Sequence, residues 1–242
     1  MTVDYPTIIE SETARLVDLA QTAPLDANVA TCGSWSLSDL ISHTSRVHRM
    51  AAAALRGDEL VNGSPQTHSF DPASQSLADY VRSGLDELRS AIAQTDPQAQ
   101  TWTFAGPRPA RFWPRRMAAE TAVHRWDAEN AIGVAAGFDP QHAVDMIDEF
   151  FDVYVPRKPP EAFADERGRT LHLHANDADG EWVITRHPDH IDIEKAHAKS
   201  TTAVRGGASS LVLFVWNRPI QPDIEIFGDT EQLDDWARAF SF

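Results

Sequence analysis

The chain has 242 residues, 42% of them hydrophobic, enough to build a sizeable core and too many for global disorder. Against 21 basic residues stand 36 acidic ones, and the formal net charge of −15 argues against a basic surface for nucleic acid or for anionic membranes. One cysteine, Cys32, leaves no intrachain disulfide, and the acidic N-terminal stretch carries neither a signal peptide nor a transmembrane run, so a cytoplasmic protein is expected.

Five helical patterns fill the first 155 residues. The first spans 6–22. The second, 37–56, follows Ser36, and Ser36-Leu37-Ser38-Asp39 reads as a capping box. Residues 75–95 repeat Leu77, Tyr80, Val81, Leu85, Leu88 and Ile92 at helical spacing. Residues 111–136 form the fourth pattern, with Pro114 tolerable in its first turn. Gly137-Phe138-Asp139-Pro140 interrupts it, and 140–155 is the fifth. Pro156-Arg157-Lys158-Pro159-Pro160 then ends helix formation and marks the expected boundary between a domain at 1–156 and one at 165–242. Beyond it the period shortens to two. The stretches 170–177, 181–187 and 190–196 read as short antiparallel strands, 201–219 as a strand running into a helix, 223–229 as a last strand and 230–240 as a last helix. The chain therefore reads as a helical half followed by a small α+β half.

The fourth helix poses a chemical problem. Glu120 and His124 stand four apart, on the face that also carries Trp113, Met117, Ala128, Ala131 and Ala135. A carboxylate in an apolar stripe needs a partner, because burying it alone costs several kcal/mol. The plain alternative is a helix-internal ion pair. A divalent metal also resolves the conflict, since it neutralises the carboxylate and takes the imidazole lone pair. Two ligands make a weak site, so a third is expected from another helix. The second helix offers His43 and His48, which flank its apolar stripe on opposite sides, and periodicity does not choose between them.

The stretch Trp35-Ser-Leu-Ser-Asp-Leu-Ile-Ser-His43, with Glu120-Thr-Ala-Val-His124-Arg-Trp-Asp127, resembles the motif pair of the mycothiol-dependent maleylpyruvate isomerase family, within the wider DinB-like bundles. The segment GGASSLVLFVWNRP and the later FGD are similar to that family's C-terminal domain. The resemblance implies a DinB-like four-helix bundle with an extra helix, followed by a small α+β domain. It implies His43, Glu120 and His124 as ligands of one divalent metal, with mycothiol as thiol cosubstrate. Two imidazoles and a carboxylate suit zinc and leave an open position, the catalytic arrangement. A thiol bound there is deprotonated and made nucleophilic. The expected activity is cis–trans isomerisation of a small anionic or electrophilic substrate. An S-transferase on the same metal and a non-catalytic metal-binding regulatory module are the alternatives.

Asp127, on the face of Glu120 and His124, is expected to accept from a ligand imidazole. The resemblance further implies a basic residue of the C-terminal domain near the metal to hold substrate: Arg218 first, Arg205 second. Cys32 has no histidine partner legible in sequence and reads as an inert small side chain. His172 and His174 alternate on one strand, and without an acid or a third histidine beside them they read as a surface feature.

Overall fold

The computed structural model describes residues 3–61, 63–162, 164–165 and 168–240. It divides into two compact units, Met1–Ala136 and Gly137–Phe242.

The first unit is a four-helix bundle: α1 (Tyr5–Thr22), α2 (Leu37–Arg56), α3 (Leu77–Gln94) and α4 (Phe112–Ala131). Asp4 caps α1 by accepting from the Thr7 amide. The capping box on α2 forms as the sequence requires, with Ser36 accepting from the Asp39 amide and Asp39 accepting from the Ser36 amide. Gly57, at φ 74°, ends that helix in the left-handed conformation that suits glycine. Each of α1 and α2 packs against both α3 and α4, so α2 and α4 lie side by side. A short hairpin, β1 (Leu60–Val61) with β2 (Ser64–Pro65), follows α2. A second, β3 (Gln100–Thr101) with β4 (Arg108–Pro109), precedes α4. The sequence pattern does not show these hairpins, because two-residue strands carry no period.

Helix α4 is buried almost all round. Trp113 stacks on Trp102, and its indole N–H donates to the Trp102 carbonyl and the Thr101 hydroxyl, both at 3.1 Å. The helix stops at Ala131 rather than continuing to 136. Gly133 turns the chain at φ 75°, and Glu129 then accepts from the Ala136 amide at 3.1 Å while Arg125 donates to the Ala136 carbonyl. Ala135 is therefore not on the helix face that carries Glu120.

The second unit contains α5 (Pro140–Val153), β5 (Thr170–Ala175), β6 (Glu181–Arg186), β7 (Ile191–Glu194), β8 (Thr202–Gly206), α6 (Ala208–Val215), β9 (Glu225–Gly228) and α7 (Glu231–Ala239). The strands form one sheet in the order β7-β6-β5-β8-β9, antiparallel except for the β5–β8 pair. The extra helix α5 belongs here and not to a domain ending at 156. Its Phe150 stacks within aromatic distance of Trp216, Trp236 and Phe240, and its Phe151 meets Trp182, so its apolar face is satisfied by the sheet unit. The division accordingly falls at Gly137, ahead of the proline segment. No helix among the described residues is long and apolar enough to cross a membrane.

Candidate metal centre

Helices α2 and α4 bring His43, Glu120 and His124 together. Glu120 Oε1 lies 3.1 Å from His124 Nε2 and 3.5 Å from His43 Nε2. The two imidazoles meet edge to face, with centroids 5.3 Å apart. One donor atom from each residue lies within 4.8 Å of the others. All three side chains keep a partial exposure of 13–21%, so the cluster is lined by core but reachable from solvent.

Each donor is held by a second group. Asp127, fully buried, takes His124 Nδ1 at 3.2 Å and so turns Nε2 toward Glu120. Arg116 donates to Glu120 Oε2 at 2.7 Å, leaving Oε1 to face the histidines. Trp35 packs on the His43 ring at a centroid distance of 4.8 Å. Arg46 reaches His43 Nδ1 at 3.1 Å. An arginine only donates, so Nδ1 accepts there and the His43 proton sits on Nε2, facing Glu120. For Nε2 to offer a lone pair instead, Arg46 must swing away, and its place at the bundle surface permits that. Cys32 Sγ lies 3.7 Å from Asp127 Oδ2, and Cys32, His124 and Asp127 form a second close group. The cysteine is thus beside a histidine after all. The contact joins a turn and a helix far apart in sequence, which local pattern does not reveal.

The charges are strongly coupled. Burial pushes the Glu120 carboxyl up, but His124, His43 and Arg116 outweigh it and hold the group well below the usual carboxylate range. Burial pushes His124 down, but Glu120, with Asp127 and Cys32, outweighs it and keeps the imidazole protonated well above its ordinary range. A proton on His124 and the guanidinium of Arg116 together supply the positive charge that the carboxylate demands. A divalent ion supplies the same charge, and the donor set fits one: two imidazole nitrogens and one carboxylate oxygen converge, and each is oriented by a neighbour.

His48 does something else. It is fully buried, and its Nε2 lies 2.8 Å from the Thr121 hydroxyl. That hydroxyl donates to the Met117 carbonyl at 2.6 Å, so it accepts from His48 Nε2–H. Nδ1 is then a bare lone pair without a hydrogen-bond partner. Burial pushes the group down to about 4, with Glu120 pulling it up and Arg49 pushing it further down.

Beside His43 opens a cleft of about 480 Å³, lined among others by Trp35, Ser42, His43, Arg46, Phe70 and Tyr80. The sequence does not single out Arg46 or Arg116. Only the spacing of Arg116 four residues before Glu120, and of Arg46 three after His43, carries a signal. Arg205 is exposed on β8, opposite His174 of β5, and Arg218 follows α6 and donates to the Trp216 carbonyl at 2.9 Å.

Two family models match the chain. Residues 7–129 match the mycothiol maleylpyruvate isomerase N-terminal domain, and residues 141–235 match the C-terminal domain of the same enzymes. The chain belongs to the mycothiol maleylpyruvate isomerase family. Among solved structures it resembles the crystal structure of the mycothiol-dependent maleylpyruvate isomerase, at 14% identity and a TM-score of 0.58, over 92% of this chain and 91% of that one. A histidine-to-alanine mutant of that isomerase matches with the same identity, coverage and score. At such identity the likeness shows a shared fold. No curated protein matches the sequence. The seven α-helices among the described residues and the small C-terminal sheet are thus those of this family's fold, and the group at α2 and α4 lies inside the N-terminal family domain.

Proposed function

We propose that this family member is a metal- and thiol-dependent enzyme of the maleylpyruvate isomerase type, with His43, Glu120 and His124 as the ligands of one zinc-class divalent ion. The observation that carries this is the convergence of two imidazole Nε2 atoms on one carboxylate oxygen in a chain of that family. Held by these three residues, such an ion would keep an open position and would supply the positive charge that makes a small thiol, mycothiol in the relatives' name, available as thiolate at neutral pH. The residues around it do the rest. Asp127 holds His124 in the tautomer that presents Nε2. Arg116 fixes Glu120 and neutralises the oxygen that faces away from the histidines. Cys32 makes a weak S–H contact with Asp127 at 3.7 Å, beside His124.

The reaction such a thiol supports is addition to a conjugated cis double bond, rotation about the resulting single bond, and elimination to the trans isomer. An anionic substrate approaching a protein of net charge −15 needs a local cation. Arg46 lines the cleft beside His43. Arg218 and Arg205 are the second unit's candidates. Neutral variants Arg46→Gln, Arg205→Gln and Arg218→Gln rank the three by their effect on KM at unchanged metal content. The function itself is tested with purified, metal-analysed protein, maleylpyruvate and mycothiol. Thiol-dependent loss of the cis isomer, abolished in Glu120→Gln, supports the proposal. Metal binding with a stable thioether as product supports an S-transferase, and metal binding without any thiol chemistry supports a regulatory module.

A further inference from the structure

A second group of metal-ligating side chains lies in the α+β unit, outside everything argued above. His172 and His174 stand two apart on β5, so both rings lie on one face of the sheet. Glu181 of β6 pairs with His174 across the antiparallel ladder, which puts its carboxylate on that same face. His197 arrives from the connection between β7 and β8. The sequence shows the histidine pair, and the fold supplies the acid and the third histidine that the pair lacks there.

The four side chains close on one point. Glu181 Oε1 lies 2.9 Å from His174 Nδ1, and Oε2 lies 2.7 Å from His197 Nδ1 and 3.3 Å from His172 Nε2. The three rings stand nearly perpendicular to one another, with centroids 5.5 Å to 6.0 Å apart. One donor atom from each of the four lies within 4.8 Å of the others. Among the described residues no lysine or arginine pairs with Glu181. Its partners are three imidazoles.

We propose that His172, His174, Glu181 and His197 form a second metal site, for zinc or a similar borderline divalent cation, closed by four protein ligands. Three imidazoles and a carboxylate fill a tetrahedral shell, so no position is left for substrate, and the site is structural. Bonds of about 2.0–2.1 Å set tetrahedral donors about 3.4 Å from one another, so the Glu181 contacts of 2.7, 2.9 and 3.3 Å lengthen slightly to admit the ion. His172 is fixed in the sheet, whereas the His197 side chain is 79% exposed and free to follow. The ion thereby fastens the β7–β8 connection to β5 and β6. This site does not depend on the bundle site, and the two are separable by mutation.

The test uses the full-length chain, stripped with a strong chelator and titrated with Zn²⁺ against a chromogenic chelator. Each variant's fold is checked by circular dichroism. The double variant His43→Ala/His124→Ala removes the bundle site, and His174→Ala/His197→Ala removes the sheet site. The expected result is one tight equivalent that survives in the bundle variant and vanishes in the sheet variant. His197→Ala alone, at an exposed position, weakens it at least ~10-fold even if the double variant misfolds. His190→Ala, which breaks the exposed His187, His190 and Asp192 group in the β6–β7 turn, leaves it unchanged. Tight zinc that disappears entirely with His43→Ala/His124→Ala overturns this proposal and leaves the bundle reading standing. Zinc retained undiminished by His197→Ala and the sheet double variant overturns it as well.

Discussion

Replacing His48 by glutamine removes a buried imidazole that titrates out of step with water. In the folded protein its Nε2–H donates to Thr121 at 2.8 Å, and Nδ1 is a buried lone pair without a partner. Protonation creates a charged N–H with no acceptor in the bundle core, so burial pushes the group down from 6.5 to about 4. The unfolded chain holds that proton at a pH where the folded chain does not. Stability from this group is therefore complete above about pH 7 and is lost as pH falls through the window between the two values. At about 1.4 kcal/mol per unit, the whole window is worth roughly 3 kcal/mol, and roughly 1.4 kcal/mol is gone by about pH 5.5. That pH stays above the sequence pI of about 4.9, where solubility is lowest. Glutamine keeps a donor within reach of Thr121 and does not titrate.

The assay is urea unfolding followed by circular dichroism, at about pH 7.5 and about pH 5.5, with excess chelator so that metal release at low pH is not counted. Wild type should lose about 1.4 kcal/mol more than His48→Gln between the two conditions. Parallel losses, within about 0.4 kcal/mol, would show that His48 titrates as an ordinary exposed imidazole. The assignment of His43 rather than His48 to the carboxylate would then lose its physical basis.

Other perturbations probe the rest of the molecule. Chelation should lower the Tm of metal-loaded wild type by several degrees, since an ion at ~100 times its Kd adds about 2.7 kcal/mol by mass action, and should lower that of metal-loaded Glu120→Gln, which keeps the sheet site alone, by less; an unmoved wild-type melting curve after verified metal removal speaks against a coupled site. Arg125→Met strips a fully buried cation from Glu12, at 2.5 Å, and Glu129, at 3.0 Å, and should cost about 3 kcal/mol in urea unfolding, whereas a cost under about 1 kcal/mol would mean that the network is not stabilising α1 against α4. Gly84→Ala places a methyl 2.5 Å from both Arg49 Nη1 and Ser45 Oγ, where α3 approaches α2, and should cost about 1–3 kcal/mol. A neutral result for that variant would mean that the buried Arg49 side chain, which lies over the Tyr80 ring at 4.0 Å, moves aside freely.

The sequence by itself determined the local structure and the kind of chemistry. Ser36 and Asp39 are three apart, and their side chains reach each other's amides wherever the helix sits, so the start of α2 was legible. Glu120 and His124 share a face because a helix turns about 100° per residue, and a carboxylate on an apolar stripe demands a charge. Strands β5, β6 and β7 announced themselves through alternation. Tertiary structure decided everything that joins distant segments. His43 and His48 flank one stripe equally, and only the packing of α2 against α4 turned His43 to Glu120 and His48 to Thr121. α5 has an apolar face of helical period, but the period does not say which surface covers it, and the aromatic cluster of the sheet unit does. His172 and His174 looked like a bare surface pair because Glu181 and His197 reach them through strand register and a returning loop, and local period encodes neither.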